Sequence, residues 1–390
     1  MRITHVITRL VVGGAQENTI TSVLGLRQKP GFELRLISGP TTGPEGSLES
    51  SVTAIPGLLT LVPELVRPVH PWKDWIALHR LTKIFQTTRP DLVHTHSGKA
   101  GVLGRMAAAR ARVPIVIHHI HGPSFGPFQG ALANFVFLAA ERHAAKVTDH
   151  FFCSADAMTK LYLGAGIGRP EMYTRIISGF DIEAFSHPPD AAEVRSQLGI
   201  APEDFVIGTV ARMAPLKGHA DLLEAVARLL PKFPRAKILF VGDGVLRAEI
   251  EAKTSALGLT KHVIFTGLVP PSEVPRYVGA MDCVAHLSTR EALARVLPQA
   301  LTAGKPILAY DFDGADEVCI NGETGFLIRT GEIVRVTERL LQLAIDPTLR
   351  HALGQCGKRL VAERFSTERM VEQQAEIYLR LATARGLPPP

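Results

Sequence analysis

The sequence predicts an α/β protein made of two doubly wound, Rossmann-like domains. Three observations lead to this. Short runs rich in β-branched residues alternate with longer helical patterns, which implies parallel sheets covered on both faces. The alternation occurs as two successive series, separated by "SHPPDAAEV" at 186–194, where paired prolines follow the last strand of the first series. The length of 390 residues also exceeds the roughly 250–300 at which one hydrophobic core usually divides.

The first series begins with "RITHVIT" (2–8), followed by "ELRLIS" (33–38), "DLVHTH" (91–96), "PIVIHHIH" (114–121), "HFFCS" (150–154) and "TRIIS" (174–178). Helical patterns lie at 73–88, 98–111 and 155–165. The second series runs through "FVIGTVAR" (205–212), "AKILFVG" (236–242), "HVIFTG" (262–267), "DCVAHLS" (282–288) and "KPILAY" (305–310). Helices at 219–231, 245–257, 273–280 and 294–303 separate these strands. A last amphipathic helix spans 366–386, with Ser366 or Thr367 as its cap and Met370, Ile377, Tyr378 and Leu381 on its apolar side.

Composition excludes several classes. A hydrophobic fraction of 46% with 21% charged residues belongs to a globular protein, not a disordered one. The excess of 43 basic over 37 acidic residues is modest and forms no basic block or aromatic-interleaved stripe, so nucleic acid is not an expected partner. Such a surface suits phosphorylated substrates or anionic headgroups. The four cysteines are scattered without a C-x-x-C pair, which fits a reducing, cytoplasmic compartment. Thr4, His5, Thr8 and Arg9 interrupt the amino-terminal apolar run, so no signal peptide is expected. The segment 126–146 mixes aromatic, apolar and basic residues. It could dock at the inner face of a membrane, although its apolar content favours a helix buried in the amino-terminal domain.

Ligands of open α/β sheets bind at the carboxyl ends of strands, near the point where strand order reverses. With two such sheets, the expected site is the cleft between domains. Gly13 and Gly14 follow the first strand where a helix should begin, and free N–H groups there would favour an anion or sugar hydroxyl. The pattern is not G-x-G-x-x-G, and a turn needed only for packing is the competing reading. Arg212 and Lys217 occupy the loop leaving the first strand of the second series. A planar fork and a point charge at this spacing can clamp a diphosphate, or both can be solvated surface. Gly242 lies in the strand-to-turn passage "FVGDGVL", which also reads as a structural turn.

His94 and His96 share one strand face, as do His119 and His121, by the alternation of side chains. Their spacing matches no standard metal motif, so no metal is expected. A polar role at a strand end is expected instead for His121, since Gly122 and Pro123 end the strand immediately after it. In "STREALARVLPQALTAGKP" (288–306), Pro298 is tolerable only within a first helical turn, which fixes a helix start near Ala294. Glu291 then lies in the loop and Gln299 about one turn inside the helix. Free N–H groups around Ala292, Leu293 and Ala294 would donate to a phosphate or sugar oxygen. Together these groups could touch one elongated ligand about 10 Å long. A surface glutamate and a surface glutamine remain the alternative.

Taken in order, "VARMAPLKG", "VGDG", "FTG" at 265–267, "EALARVLPQALTAGKPIL" and "NGETGFL" at 321–327 resemble family-4 glycosyltransferases with the GT-B fold. The resemblance spans nearly the whole chain and is strongest from about 205 to 328. "GGAQE", "HTHSGKAGVLGR" (94–105) and "HIHG" resemble that family's acceptor-side loops. It implies an acceptor-binding domain at 1–187 completed by a crossover helix at 368–390, and a donor-binding domain at 188–367. It implies further that Arg212 and Lys217 hold the donor diphosphate and that Glu291 contacts the sugar hydroxyls beside N–H groups of Ala292–Ala294. Residue 299 would hold the ribose, and Leu268 and Val269 would lie near the base. His121 would sit near the reacting sugar and Gly14 near the phosphates. The implied reaction is retaining and metal-independent, from a nucleoside-diphosphate sugar to a glycan or lipid-linked acceptor, with no cofactor.

Two departures stand out. The family's Gly-Phe-Gly is Ala292-Leu293-Ala294 here, which adds β-carbons where backbone meets sugar. The family's second glutamate is Gln299, which can still bond a ribose diol but without the charge-assisted bond of a carboxylate. A sugar-nucleotide epimerase of the same fold and a non-catalytic nucleotide-sugar binding protein are the rival readings. Oligomeric state, donor base and acceptor identity are not encoded in these motifs.

Overall fold

The computed structural model describes residues 1–42, 46–188, 191–362 and 364–388. Pro189 and Asp190, within the segment read as the domain boundary, lie outside the described residues, as do the last two prolines. The chain forms two compact units, Met1–Gly179 with Thr367–Pro390, and Phe180–Ser366. The second unit thus begins eight positions before the residue 188 read from the prolines. Phe180 explains the difference. Its N–H donates to the Phe365 carbonyl at 3.1 Å, it bridges to Ser366, and its ring packs on Phe185 and Phe365.

Among the described residues, the first unit holds seven parallel strands: β1 (Arg2–Ile7), β2 (Glu33–Ser38), β3 (Leu59–Leu61), β4 (Leu92–His96), β5 (Ile115–Ile120), β6 (His150–Cys153) and β7 (Tyr173–Arg175). Their order is β3-β2-β1-β4-β5-β6-β7. Every residue of β4 and β5 is buried, as expected of strands covered on both faces. Alternation sends Ile3 and Ile7 to the face packed by helices Gly14–Arg27 and Thr367–Ala384, through Val23, Leu26, Met370 and Tyr378. Val6 and Val93 point to the opposite face, against Ala77, Leu81 and Ala107 of helices Pro71–Thr88 and Gly98–Arg110.

The helix Ala131–Ala145 corrects the reading of 126–146 as a buried helix. Its buried residues are Glu141 and Ala144, whereas Leu132, Phe135 and Val136 are 78%, 69% and 52% exposed. What holds it is a buried ion pair, Glu141 with Arg105 at 2.5 Å. Glu141 also accepts from Ser124 Oγ at 2.9 Å. Removing one partner of such a pair costs roughly 3–5 kcal/mol, because the other charge is left uncompensated. The helix is thereby fixed by its carboxyl half, and its apolar first half faces outward.

The second unit holds β8 (Phe205–Val210), β9 (Ala236–Val241), β10 (Val263–Phe265), β11 (Cys283–His286), β12 (Ile307–Tyr310) and β13 (Gly325–Ile328). They are parallel, in the order β10-β9-β8-β11-β12-β13. Strand order therefore reverses between β1 and β4 in the first unit and between β8 and β11 in the second. Functional groups at the carboxyl ends of these four strands have the most informative positions.

Candidate active site

In the second unit the loops leaving β8 and β11 flank the reversal point, and they are laced together. Leu216 adopts φ 69°. Its carbonyl accepts Thr289 N–H at 2.9 Å and Ser288 Oγ–H at 3.0 Å. Gly218 follows at φ 73°, where a β-carbon would overlap the Leu287 carbonyl, so only glycine lets the two loops approach this closely. The result is a salt bridge between Lys217 and Glu291, with their side chains 17% and 27% exposed. Two sequence-predicted residues seventy-four positions apart thus meet.

Glu291 is fixed at several atoms. Its N–H donates to Asp313 Oδ2 at 2.8 Å, and its Oε1 lies 3.3 Å from Ser288 Oγ. His286 Nε2 lies 3.4 Å from the same oxygen. Burial raises the pKa of the carboxyl, but the Lys217 ammonium and the His286 ring outweigh that and hold it at about 2. It is a permanent carboxylate. Asp313 is the opposite case: burial and the neighbouring Glu291 charge push it up to about 6, against the hydrogen bond from Glu291 N–H. Asp313 also adopts φ 50°, which Asp tolerates better than most residues. The sequence reading missed it.

Ala292 and Ala294 are buried and Leu293 is half-buried. The helix begins at Val296, not near Ala294, and runs to Thr302. Leu297 N–H bonds the Ala294 carbonyl at 3.1 Å in a tighter i→i+3 turn, and the first i→i+4 bond is Gln299 N–H to Arg295 O at 3.1 Å. Pro298 stays inside the first turn. Gln299 sits in that helix, half-exposed, with its N–H on Arg295 O at 3.1 Å. Arg212 lies half-buried in the same loop as Lys217.

The neighbouring loops are tied to this pair. Met213 N–H donates to Asp243 O at 2.9 Å, and Leu246 N–H to Met213 O at 2.9 Å. Gly242, at φ 133°, is where a β-carbon would overlap the Ala211 carbonyl. Its N–H donates to Gly267 O at 3.0 Å, which brings Leu268 and Val269 to the edge of the β8 and β9 loops. Leu268 is exposed and Val269 half-buried. An anionic ligand laid along these strand ends would meet two cations, a fixed carboxylate and loop N–H groups.

In the first unit, Gly13 caps the helix Gly14–Arg27, and its carbonyl accepts Glu17 N–H at 2.9 Å. Gly14 is exposed. His121 follows β5 directly and is half-buried. Its Nε2 is 2.9 Å from His96 Nδ1, and its ring stacks on His119 with centroids 4.0 Å apart. The shared faces expected of His94/His96 and His119/His121 form one continuous cluster. Register adds His5, which pairs with His94 across β1 and β4, and whose Nδ1 is 2.9 Å from His96 Nε2. His5 escaped the sequence reading because a lone histidine on a strand ninety residues away carries no local signal. Ligand-type nitrogens lie within 4.8 Å of one another in His5/His94/His96 and in His96/His119/His121.

Similarity to known proteins agrees with this geometry. A family described as "Glycosyl transferases group 1" matches residues 190–360, and a "Glycosyl transferase 4-like domain" matches 14–176. EpsD of Bacillus subtilis strain 168, which is named a glycosyltransferase, is 31% identical over 314 residues, covering 78% of this chain and 80% of its own. This chain is a GT-B glycosyltransferase of family 4. It acts on nucleotide sugars, and the epimerase and non-catalytic readings are not favoured. Enzymes of this type are hexosyltransferases that retain configuration and work without a metal. The Escherichia coli UDP-Gal:alpha-D-GlcNAc-diphosphoundecaprenol alpha-1,3-galactosyltransferase is 26% identical over 386 residues, 97% of each chain. Anabaena Alr3699/HepE, solved with UDP and glucose, superposes with a TM-score of 0.83 at 24% identity, covering 97% of this glycosyltransferase and 99% of that chain. Among the described residues, no helix of the glycosyltransferase is long and apolar enough to cross a membrane.

Proposed function

We propose that this glycosyltransferase moves a hexose from a UDP-sugar to a hydroxyl of a lipid-linked saccharide, with retention and without a metal. The observation that carries the donor half is the Lys217–Glu291 pair at the reversal point of the second sheet, beside Arg212. Arg212 and Lys217 neutralise the diphosphate. Glu291 accepts hydrogen bonds from donor-sugar hydroxyls, next to loop N–H groups of Ala292, Leu293 and Ala294. Gln299 bonds the ribose, and Leu268 and Val269 flank the base beside Gly242. Taken by itself, the first unit offers a helix start at Gly13 and Gly14 and a ring nitrogen of His121 to substrate oxygens.

In the resting chain Lys217 is held by Glu291. A bound diphosphate gives the ammonium a second anion, while Glu291 turns part of its hydrogen-bonding capacity to the sugar. Charge building on the departing diphosphate in the transition state then meets cations already in place, with little reorganisation. The acceptor hydroxyl attacks from the face the diphosphate leaves, and its proton passes to a departing phosphate oxygen.

Support for a lipid-linked acceptor comes from two sides. The Escherichia coli relative is named for a diphosphoundecaprenol substrate. The helix Ala131–Ala145 presents Leu132, Phe135 and Val136 to solvent and ends with Arg142 and His143. Apolar side chains flanked by basic ones suit the inner, anionic face of a cytoplasmic membrane.

The test is transfer from labelled UDP-hexoses to a synthetic diphosphoundecaprenol-linked saccharide, with the product anomer read by NMR. An α-linked product from an α-configured donor is expected. Release of free hexose or an epimerised nucleotide sugar, with no transfer, would contradict the proposal.

A further inference from the structure

His286 ends β11 at the reversal point of the second sheet, beside Glu291 but without a role of its own in holding the donor. It is 5% exposed, and neither ring nitrogen has a hydrogen-bond partner. A buried polar group left unbonded costs about 1–3 kcal/mol, so a purely structural role would favour an apolar side chain here. Nε2 lies 3.4 Å from Glu291 Oε1. A neutral ring with its proton on Nδ1 would bury an orphaned donor, the rarer and costlier case. On Nε2 the same proton faces a carboxylate.

Competition at Oε1 explains why the bond is not made. The same oxygen is salt-bridged to Lys217. Ser288 Oγ lies 3.3 Å away, but its proton goes to Leu216 O at 3.0 Å. Lys217 is therefore the donor that keeps the carboxylate turned to the β8 loop. The two sides of the 3.4 Å gap differ in freedom. His286 is fixed by a strand whose four residues are all buried, in register with Ala309 of β12. Glu291 lies in a loop, with its side chain 27% exposed. Closing the gap to a charge-assisted hydrogen bond takes roughly half an ångström of carboxylate movement.

We propose that His286 is a positioning residue for Glu291: when the Lys217 ammonium turns to a diphosphate, the carboxylate closes on His286 and accepts its Nε2–H. The exchange gives the buried ring a partner. It also keeps Glu291 aimed once its cation is shared, with one oxygen held by the strand end and the other left for sugar hydroxyls. The positioning role rests on the reading of Lys217 as a ligand of the diphosphate. The exchange itself does not, because replacing Lys217 drives it with no ligand present.

The test uses the full chain labelled with 15N-histidine, with the His286 signals identified by their loss in His286→Phe. In Lys217→Met without ligand, the His286 Nε2–H signal should move downfield from its place in the parent, as a new hydrogen bond forms. Adding Glu291→Gln should abolish most of that movement. An unchanged signal in Lys217→Met, or a shift that survives loss of the carboxylate, overturns the proposal. UDP added to the parent chain should move the same signal the same way. UDP that raises Tm without moving it also overturns the proposal. UDP that fails to raise Tm, while Lys217→Met still shifts the ring, overturns the donor reading and the positioning role but upholds the exchange. In His286→Phe, kcat should fall roughly tenfold, the worth of one hydrogen bond to a charged group, with less effect on donor KM. Unchanged kcat would deny the positioning role.

Discussion

Lys217 and Glu291 form an ion pair that joins the loop leaving β8 to the loop leaving β11. Both belong to one electrostatic unit, so their losses should not add. Lys217→Ala and Glu291→Gln should each lower kcat/KM by roughly 10²- to 10³-fold. The double variant should be little worse than the poorer single one, because residues acting together are strongly non-additive. Additive losses, measured with the same donor and acceptor, would show that the two act separately.

In the proposed donor site, Gln299 would give the ribose an amide where the family pattern has a carboxylate. Gln299→Glu should tighten donor binding about three- to tenfold, since a charged acceptor makes the stronger hydrogen bond. Titration calorimetry with the nucleoside diphosphate alone isolates this effect from the sugar. Unchanged affinity would remove residue 299 from the ribose contact.

Asp313 should make stability pH-dependent in mild acid. Its folded pKa of about 6 lies above the ordinary 3.8, so between those values the folded chain holds the extra proton. That contribution to stability falls as pH rises from about 4 to 6, and above 6 the buried charge is a standing cost. Asp313→Asn keeps an acceptor for Glu291 N–H and tolerates the left-handed backbone. Its Tm relative to the parent chain should therefore climb from pH 4 to 6 and level off above. A constant difference across that range would contradict the assignment.

The outward half of the helix Ala131–Ala145 should carry membrane binding. Replacing Leu132, Phe135 and Val136 together by Ser should cut sedimentation with phosphatidylglycerol vesicles about tenfold or more, given the apolar area withdrawn. These side chains are exposed, so far-ultraviolet circular dichroism should not change. Equal sedimentation of parent and variant would place membrane contact elsewhere or nowhere.

Much of this was legible in the sequence, for physical reasons that also explain the gaps. Strand–helix alternation exposes parallel sheets because central strands such as β4 and β5 are short, β-branched runs buried on both faces. β3 escaped because Leu59–Leu61 is three residues at a sheet edge, too short to show a period. Period-two spacing put His94 with His96 and His119 with His121, but strand register brought in His5. Arg212, Lys217 and Glu291 stood out through ordered motifs. Asp313 did not, because one acid among Asp311, Asp313 and Asp316 has no local mark. The segment 126–146 misled because apolar content reports what a helix could bury, and the Arg105–Glu141 pair decides what it does bury.

The most direct measurement is thermal denaturation against a panel of nucleoside-diphosphate hexoses, run on the parent chain and on Arg212→Ala and Glu291→Ala. One donor, expected to be a UDP-hexose, should raise the parent Tm by several degrees near 100 times its Kd, where binding contributes about 2.7 kcal/mol. The same concentration should shift neither variant appreciably. A panel with no stabilising member, or a shift that survives both substitutions, would contradict the donor site assigned to the second unit.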